Sequence, residues 1–367
     1  MKKLINNETE IAAKVHNTLD NVSLNKNYSE ATSPNVSQVT TKEIYPGIFM
    51  APINLPRNPL RSINNYIVKG QSRDLMVDTA FNNQSCVKDI NCHMDYCKTK
   101  ATSLDIFFTH LHSDHTGLAN YFADRGSDLY MGRYDANYVN NSLAADSPVW
   151  LSQLELALYQ GLAADDLKLE EHPGFRYRPQ KRMQVNYTAP GDVFKIGSYS
   201  FTVIDLPGHT PGLQALYEPE HQLLFCGDHI LGDITPNITF WDFAVGDSLG
   251  TYFKSLELVE TLPIRYLFSA HRSLVEDVSK RITELFVHHR KRLQEARDCL
   301  RRYGPSTVRR VTQNLHWDIR AKDWSDFPNS QKWFAAGEAM AHLEHLVALG
   351  DVVRHTADDG VYYYELI

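Results

Sequence analysis

The chain has 367 residues, a formal net charge of −7, and 43% hydrophobic against 22% charged residues. Such a composition is ordinary for a globular protein with one large domain and a smaller one, or with two domains. The acidic balance argues against a protein built mainly for nucleic acid, and no apolar run of about 18 residues exists to form a helical membrane span.

In chain order, the opening "MKKLINNETEIAAKVHNTLD" carries two lysines but no apolar stretch of the kind a secretory signal needs. The five cysteines, Cys86, Cys92, Cys97, Cys226 and Cys299, are odd in number and scattered, which suits a reducing compartment. A cytoplasmic protein is expected. Residues 1–40 are polar and read as a loose arm with one helix near 8–19. From Ile44 short β-rich runs follow, "IYPGIFMAPI", "INNYIVKG" and "RDLMVDTAF", separated by turn residues. A helix is predicted over 82–99, with Val87, Ile90, Met94 and Cys97 on one face. Cys92, His93 and Cys97 lie in it, without a second cysteine pair to complete a zinc knuckle. "LDIFFTH" reads as a buried strand, and Thr116–Asp124 as the next helix. Residues 133–190 lose the strand rhythm and read as a helical insertion. Strands resume in "DVFKIGSYSFTVIDLPGHTPG" and in the hairpin "QALYEPEHQLLFCGDHIL". A helix near 248–261 leads to the strand "RYLFSAH", then a long basic-faced helix covers 277–303. The tail, 304–367, is predicted as a helix, a glycine stop and two strands around "ADDG", the outline of a winged-helix module.

Four of these strands end the same way, with a His or Asp just beyond: "FFTHLHSDH", "VIDLPGHTPG", "LFCGDHI" and "YLFSAH". Strand ends on one edge can gather ligands that are distant in sequence, and imidazole nitrogens with carboxylate oxygens suit zinc-like divalent ions. His110, His112, Asp114, His115, His209, Asp228 and His271 make seven candidates. That is too many for one tetrahedral ion but right for two ions sharing Asp228. A lone histidine such as His209 is more often a turn or core residue; the ordered series reads it as a ligand. His229 beside Asp228 is turned away by strand alternation and reads as structural. Asp78, ending an early strand, reads either as a turn cap or as a group that orients a ligand histidine.

The series HxHxDH, then a lone His, a Gly-Asp aspartate and a last His, resembles the metallo-β-lactamase superfamily, its dinuclear hydrolases such as glyoxalase II and the lactonases above all. The likeness covers roughly residues 44–275, and the tail is similar to the C-terminal extension of the β-lactamase-like-2 subgroup. The resemblance implies an α+β, αββα four-layer sandwich. The chain is read as an arm (1–40), a catalytic domain (41–303, with the 133–190 insertion) and a winged-helix-like domain (304–367); the superfamily pattern does not explain the arm or the insertion. The resemblance further implies that His110, His112 and His209 hold one metal, that Asp114, His115 and His271 hold the other, and that Asp228 bridges them opposite a hydroxide that attacks an ester-like carbonyl. Asp114 would have a catalytic role too, orienting the hydroxide or helping protonate the leaving group. The expected cofactors are two divalent ions, zinc first, with iron or manganese as alternatives. The expected substrate is a small acyl compound: a thioester, lactone or relative. A nuclease or phosphodiesterase, an iron-dependent sulfur dioxygenase and a metal-free binding module are the competing classes, and a homodimer stays open. The insertion's aromatics, Tyr134, Tyr138, Trp150, Tyr159, Phe175 and Tyr177, read as a pocket roof or as a small core of their own. "ITPNITFW" reads as a pocket-edge loop. The tail is expected to wall the entrance, with Phe334, Met340, Leu343 and Leu346 buried.

Overall fold

The computed structural model describes residues 39–367; the helix expected near 8–19 and nearly all of the arm lie outside the described residues. Two sheets form the centre. The first contains seven strands in chain order: β1 (Lys42–Tyr45), β2 (Ile48–Asn54), β3 (Ser62–Val68), β4 (Asp74–Val77), β5 (Leu104–Phe108), β6 (Asp128–Gly132) and β7 (Asn186–Thr188). It is antiparallel from β1 to β4 and parallel from β4 to β7. The second contains β8 (Val193–Ile196), β9 (Tyr199–Asp205), β10 (Gln214–Glu218), β11 (Leu223–Gly227) and β12 (Tyr266–Ser269), with β12 parallel to β11 and the rest antiparallel.

Period-two alternation explains the layering. In β11, Leu223 and Phe225 face the first sheet, while Leu224 and Cys226 face helices on the opposite side. In β5, Phe107 enters the inter-sheet core, whereas Ile106 and Phe108 turn outward to α1 (Gln84–Cys97) and its neighbours. Strands covered on both faces read as continuous apolar runs, which is why "DIFF" and "LLFC" were visible in the sequence. Helices α7 (Ser248–Glu260) and α8 (Val278–Tyr303) cover the second sheet. The result is the expected four-layer α+β sandwich.

The predicted helix over 116–124 is instead two short ones, α2 (Ser113–Thr116) and α3 (Ala119–Ala123). They part at Leu118, whose backbone leaves the helical region; at the preceding Gly117 a Cβ would stand 2.5 Å from the Asn82 backbone nitrogen and 2.6 Å from the Ala80 carbonyl. The block 133–190 holds α4 (Arg133–Asn141), α5 (Pro148–Tyr159) and α6 (Pro173–Arg176), but its last residues join the first sheet as β7. Three residues are too few to show an alternating pattern.

The tail comprises β13 (Ser306–Thr307), α9 (Val308–Asn314), α10 (Asn329–Ala348) and the hairpin β14 (Val352–Thr356) and β15 (Tyr362–Leu366). Met340, Leu343 and Leu346 of α10 are fully buried in one core with α7 and α8, as their spacing predicts. Phe334 is only half-buried, because it faces a cleft described below. The insertion is fastened to the tail by Asp165. Its carboxylate accepts from Lys332 Nζ at 3.2 Å, Arg309 Nε at 2.7 Å and Trp324 Nε1 at 2.6 Å. The Asp165 and Lys332 side chains are 4% and 7% exposed, so removing one charge strands the other away from water. Asp165→Ala is therefore expected to destabilise the fold by about 3–5 kcal/mol, read as a lowered denaturant midpoint in equilibrium unfolding.

Candidate metal centre

Each candidate ligand follows a strand end. After β5 the chain passes through Thr109 and His110, and His112 then occupies the N-cap of α2, which carries Asp114 and His115. The loop after β9 delivers His209, β11 delivers Asp228 and β12 delivers His271. Gly227 makes the approach of β11 possible. Its φ is +54°, and a Cβ there would lie 2.6 Å from Thr109 Oγ1.

All seven residues come together, in two groups: His110, His112, His209 and Asp228; and Asp114, His115 and His271. In the first, His112 Nδ1 stands 3.0 Å from His110 Nε2 and 2.9 Å from His209 Nε2. Two ligand atoms on one tetrahedral ion, with bonds near 2.1 Å, are separated by about 3–3.5 Å, so the spacing suits a shared cation. In the second, His271 Nε2 lies 3.3 Å from Asp114 Oδ2. Asp228 stands between the groups. Its Oδ2 is 3.6 Å from His209 Nε2, and its Oδ1 is 3.6 Å from His115 Nε2 and 3.4 Å from His271 Nε2.

The outer nitrogens of the rings are held by the fold. His115 Nδ1 donates to Asp78 Oδ2 at 2.8 Å, His209 Nδ1 to the Asn237 carbonyl at 2.7 Å and His271 Nδ1 to the Ser62 carbonyl at 2.8 Å. Those bonds assign the ring proton to Nδ1 and turn the Nε2 lone pair inward. His110 Nδ1 meets Thr109 Oγ1 at 3.0 Å, and that hydroxyl donates to Asp78 Oδ2 at 2.8 Å. Asp78 thus serves both groups, from a left-handed backbone position at φ +58°. Of its two sequence readings, the orienting one matches this geometry.

His115 Nε2, His271 Nε2 and Asp228 Oδ1 are buried without any hydrogen-bond partner in the protein. Orphaned polar atoms are costly unless something pairs with them. Two imidazole lone pairs beside a carboxylate oxygen form a donor set for a divalent cation, so the residues present fit the expected metals. The electrostatics of the first group agree; in the second, burial is outweighed by the carboxylates of Asp78, Asp228 and Asp114, which hold His115 well above its usual range, and Asp228 and Asp114 likewise raise His271 against burial, so a cation bound there would displace protons. Burial, reinforced by the neighbouring histidines, holds the His110 imidazole well below its usual range, and burial with His209 beside it pushes His112 down to about 3. Burial would raise Asp228, but His271 and His115 outweigh it and hold the carboxyl well below the usual carboxylate range. Neutral imidazoles and ionised carboxylates are the forms that bind metal.

Asp135, in the first turn of α4, is a part of the centre that the sequence did not single out. Its Oδ2 accepts from Leu111 N at 2.9 Å and Thr210 Oγ1 at 2.7 Å, and its Oδ1 from Gly212 N at 2.9 Å. Leu111 lies between His110 and His112, and Thr210 follows His209. One fully buried carboxylate therefore ties both histidine loops together. In Asp135→Asn one of these donors faces an amide N–H. The variant is expected to bind metal roughly 10–100-fold more weakly, measured by competition with a chromophoric chelator. His229 is not among the residues of either group; its ring is buried against Tyr252. The cysteines are all free, with Cys92 exposed and the others buried.

A cleft of about 770 Å³, its open mouth included, begins at His112. Tyr138 and Trp150 of the insertion line it, as do Asn237, Thr239, Phe240 and Trp241 of the predicted edge loop and Trp333 and Phe334 of α10. The other insertion aromatics lie elsewhere. Tyr177 stacks on Phe81 with centroids 4.1 Å apart, Tyr159 lies against Tyr362 of the tail and Tyr134 is exposed. Phe175 is buried against Trp150. Asn237 also joins the tail to the centre. Its Nδ2 donates to Glu338 Oε2 at 2.9 Å and to the Phe334 carbonyl at 3.2 Å, while its own carbonyl holds His209.

A four-layer sandwich with histidines and aspartates gathered at the strand ends defines a class of metal-dependent hydrolases. Residues 104–271 match the metallo-beta-lactamase superfamily, and residues 326–367 match the metallo-beta-lactamase-like C-terminal domain. A beta-lactamase-like protein 2 homolog of Drosophila melanogaster is 26% identical over 316 residues, covering 83% of this chain and 89% of its own. The acyl-coenzyme A thioesterase MBLAC2 of Homo sapiens is 24% identical over 221 residues, 57% of this chain and 72% of its own. Lactamase-like protein nscB of Arthroderma benhamiae is 26% identical over 234 residues, 63% of this chain, and the match spans only 40% of that relative's length. Among solved structures, the metallo-beta-lactamase family protein TTHA1429 of Thermus thermophilus shares the fold, with a TM-score of 0.73 at 23% identity, covering 89% of this chain and all of its own.

Proposed function

We propose that the seven residues hold two divalent ions, zinc first, and that the chain hydrolyses an ester-like carbonyl in a thioester, lactone or related acyl compound. The observation that carries this reading is Asp228, whose two oxygens face different groups of candidate ligands. His110, His112 and His209 would hold one ion and Asp114, His115 and His271 the other. When bound, such a pair supplies a water deprotonated near neutral pH and polarises the attacked carbonyl. The protein's own groups do the rest. Asp78, Asn237 and Ser62 fix the rings, and Asp114 holds or releases a proton near the leaving atom. The water oxygen bonds to the acyl carbon, the bond to sulfur or oxygen breaks, and the leaving group departs with a proton. The thioesterase relative supports an acyl substrate. The boundaries 41–303 and 304–367, the helical character of 133–190 and the winged-helix-like nature of the tail belong to the same proposal.

A nucleic-acid substrate finds less support. The basic run on α8 is largely engaged within the chain. Arg292 is buried, 3.6 Å from Glu338 and over the Trp317 ring; Arg297 lies 2.5 Å from Asp351 and Arg301 2.5 Å from Asp298. Among the described residues no helix is long and apolar enough to cross a membrane. The test is a panel of thioesters, lactones, phosphodiesters and β-lactams, run on protein of measured metal content. Turnover of the acyl compounds is expected; turnover of phosphodiesters alone would overturn the reading.

A further inference from the structure

The C-terminal tail approaches the metal centre along one turn of α10. Residues 228–247, between β11 and α7, hold neither helix nor strand, and Asn237 sits near their middle. Its carbonyl accepts from His209 Nδ1 at 2.7 Å, so this one peptide group sets the direction of the lone pair on His209 Nε2. Asp135 holds the backbone beside His209 through Thr210, but Asn237 holds the ring. A stretch without regular structure has no ladder of its own to keep a carbonyl in place.

α10 supplies the anchor. Asn237 Nδ2 donates to Glu338 Oε2 at 2.9 Å and to the Phe334 carbonyl at 3.2 Å. Both partners are acceptors, which fixes the amide with its nitrogen toward the helix. Three residues on, Phe240 N donates to the Gly337 carbonyl at 3.0 Å. Thr239 packs so close that a Cβ on Gly337 would stand 2.0 Å from its Oγ1. Ile238 and Phe240 are buried in the core that α10 shares with α7 and α8.

Glu338 is itself buried, and a carboxylate in such a place needs partners. Arg292 Nε of α8 lies 3.6 Å from its Oε1, but that guanidinium also serves the His316 carbonyl, Glu295 and the Trp317 ring. The bond to Asn237 is the shorter contact and is charge-assisted. The second group of candidate ligands is oriented from the first sheet instead, His115 by Asp78 and His271 by the Ser62 carbonyl.

We infer that Glu338 is a positioning residue for His209, acting through Asn237, so that the tail sets the affinity of the first group for its ion and leaves the second group untouched. This rests on the metal reading above and makes the tail part of the metal centre as well as a wall of the cleft.

The experiment titrates metal-free protein with zinc in competition with a chromophoric chelator. The binding step that weakens in His209→Ala marks the first group. Glu338→Ala is expected to weaken that step roughly tenfold or more and to move the other step less than about twofold. Glu338→Gln keeps an acceptor oxygen for Asn237 while losing the charge that faces Arg292, and is expected to bring the step back to within about threefold of wild type. Asn237→Ala keeps the carbonyl and loses the amide. Alone it is expected to weaken the first step as much as Glu338→Ala does, which reads the link even where Glu338→Ala does not fold. Combined with it, Glu338→Ala is expected to add less than about twofold, because both changes break one connection. Glu344→Ala breaks a different contact of the same helix, with Arg354 and Tyr364, and is expected to move neither step.

No weakening in Asn237→Ala, equal weakening of both steps in Glu338→Ala, or full additivity of the two changes would overturn the positioning role. A Gln variant as weak as the Ala variant would assign Glu338 to Arg292 and overturn it too. If the protein takes up a single ion, the two-ion reading falls. The positioning role then stands if that one step weakens in His209→Ala and Glu338→Ala and recovers in Glu338→Gln, and falls if it does not.

Discussion

Asp228→Ala is expected to lower kcat/KM by roughly 10³-fold or more on whichever acyl substrate the panel selects, with the fold retained. Asp228 is the one carboxylate with an oxygen toward each group of candidate ligands. Its loss removes a ligand from both proposed sites and leaves six close polar groups with less negative charge to hold two cations. The strand that delivers it does not depend on it: Leu223, Leu224, Phe225 and Cys226 are all fully buried and fix β11 from both sides. Circular dichroism should therefore match the wild type while metal content and turnover collapse together. Asp228→Asn keeps the shape, loses the charge and is expected to fall between the two. Near-normal turnover in Asp228→Ala at full metal loading would contradict its bridging role.

His112→Ala is expected to cost turnover nearly as much, roughly 10²–10³-fold, through a different route. His112 Nδ1 stands within 3.0 Å of both His110 Nε2 and His209 Nε2, so the first group loses the ligand at its centre. The second group, Asp114, His115 and His271, is left whole. The expected protein holds about one ion instead of two. His112 also leans toward Trp241, at 6.2 Å between ring centroids, so the variant opens the head of the cleft. Metal content and kcat measured on the same preparation separate ligand loss from a change of pocket shape. A variant that keeps both ions and loses only affinity for substrate would make His112 a pocket residue.

The architecture was readable because its strands are buried on both faces. A run such as "LLFC" has no polar alternation to hide it, and the ionisable residue that follows stands out as a break. All seven candidate ligands could be named this way. Asp135 could not, because its partners are two backbone nitrogens and a threonine hydroxyl, which leave no signature in side-chain spacing. Asn237 escaped for the same reason, since it holds His209 through a carbonyl that every residue has. Asp78 was left between two readings because only the fold places its carboxylate between His115 and Thr109. Phe334 was assigned to the core from helical spacing, yet α10 is walled on nearly every side, and one of those sides is the cleft. The close backbone contact at Gly117 likewise depends on a neighbour far along the chain.

The central claim is a pair of ions held by residues from four strand ends. Elemental analysis of protein purified without chelator, set against protein concentration from amino-acid analysis, tests it most directly. The account predicts about two divalent ions per chain, removable by chelator with loss of turnover and restored by added zinc. A fully occupied stoichiometry of one ion, with full activity, would contradict it.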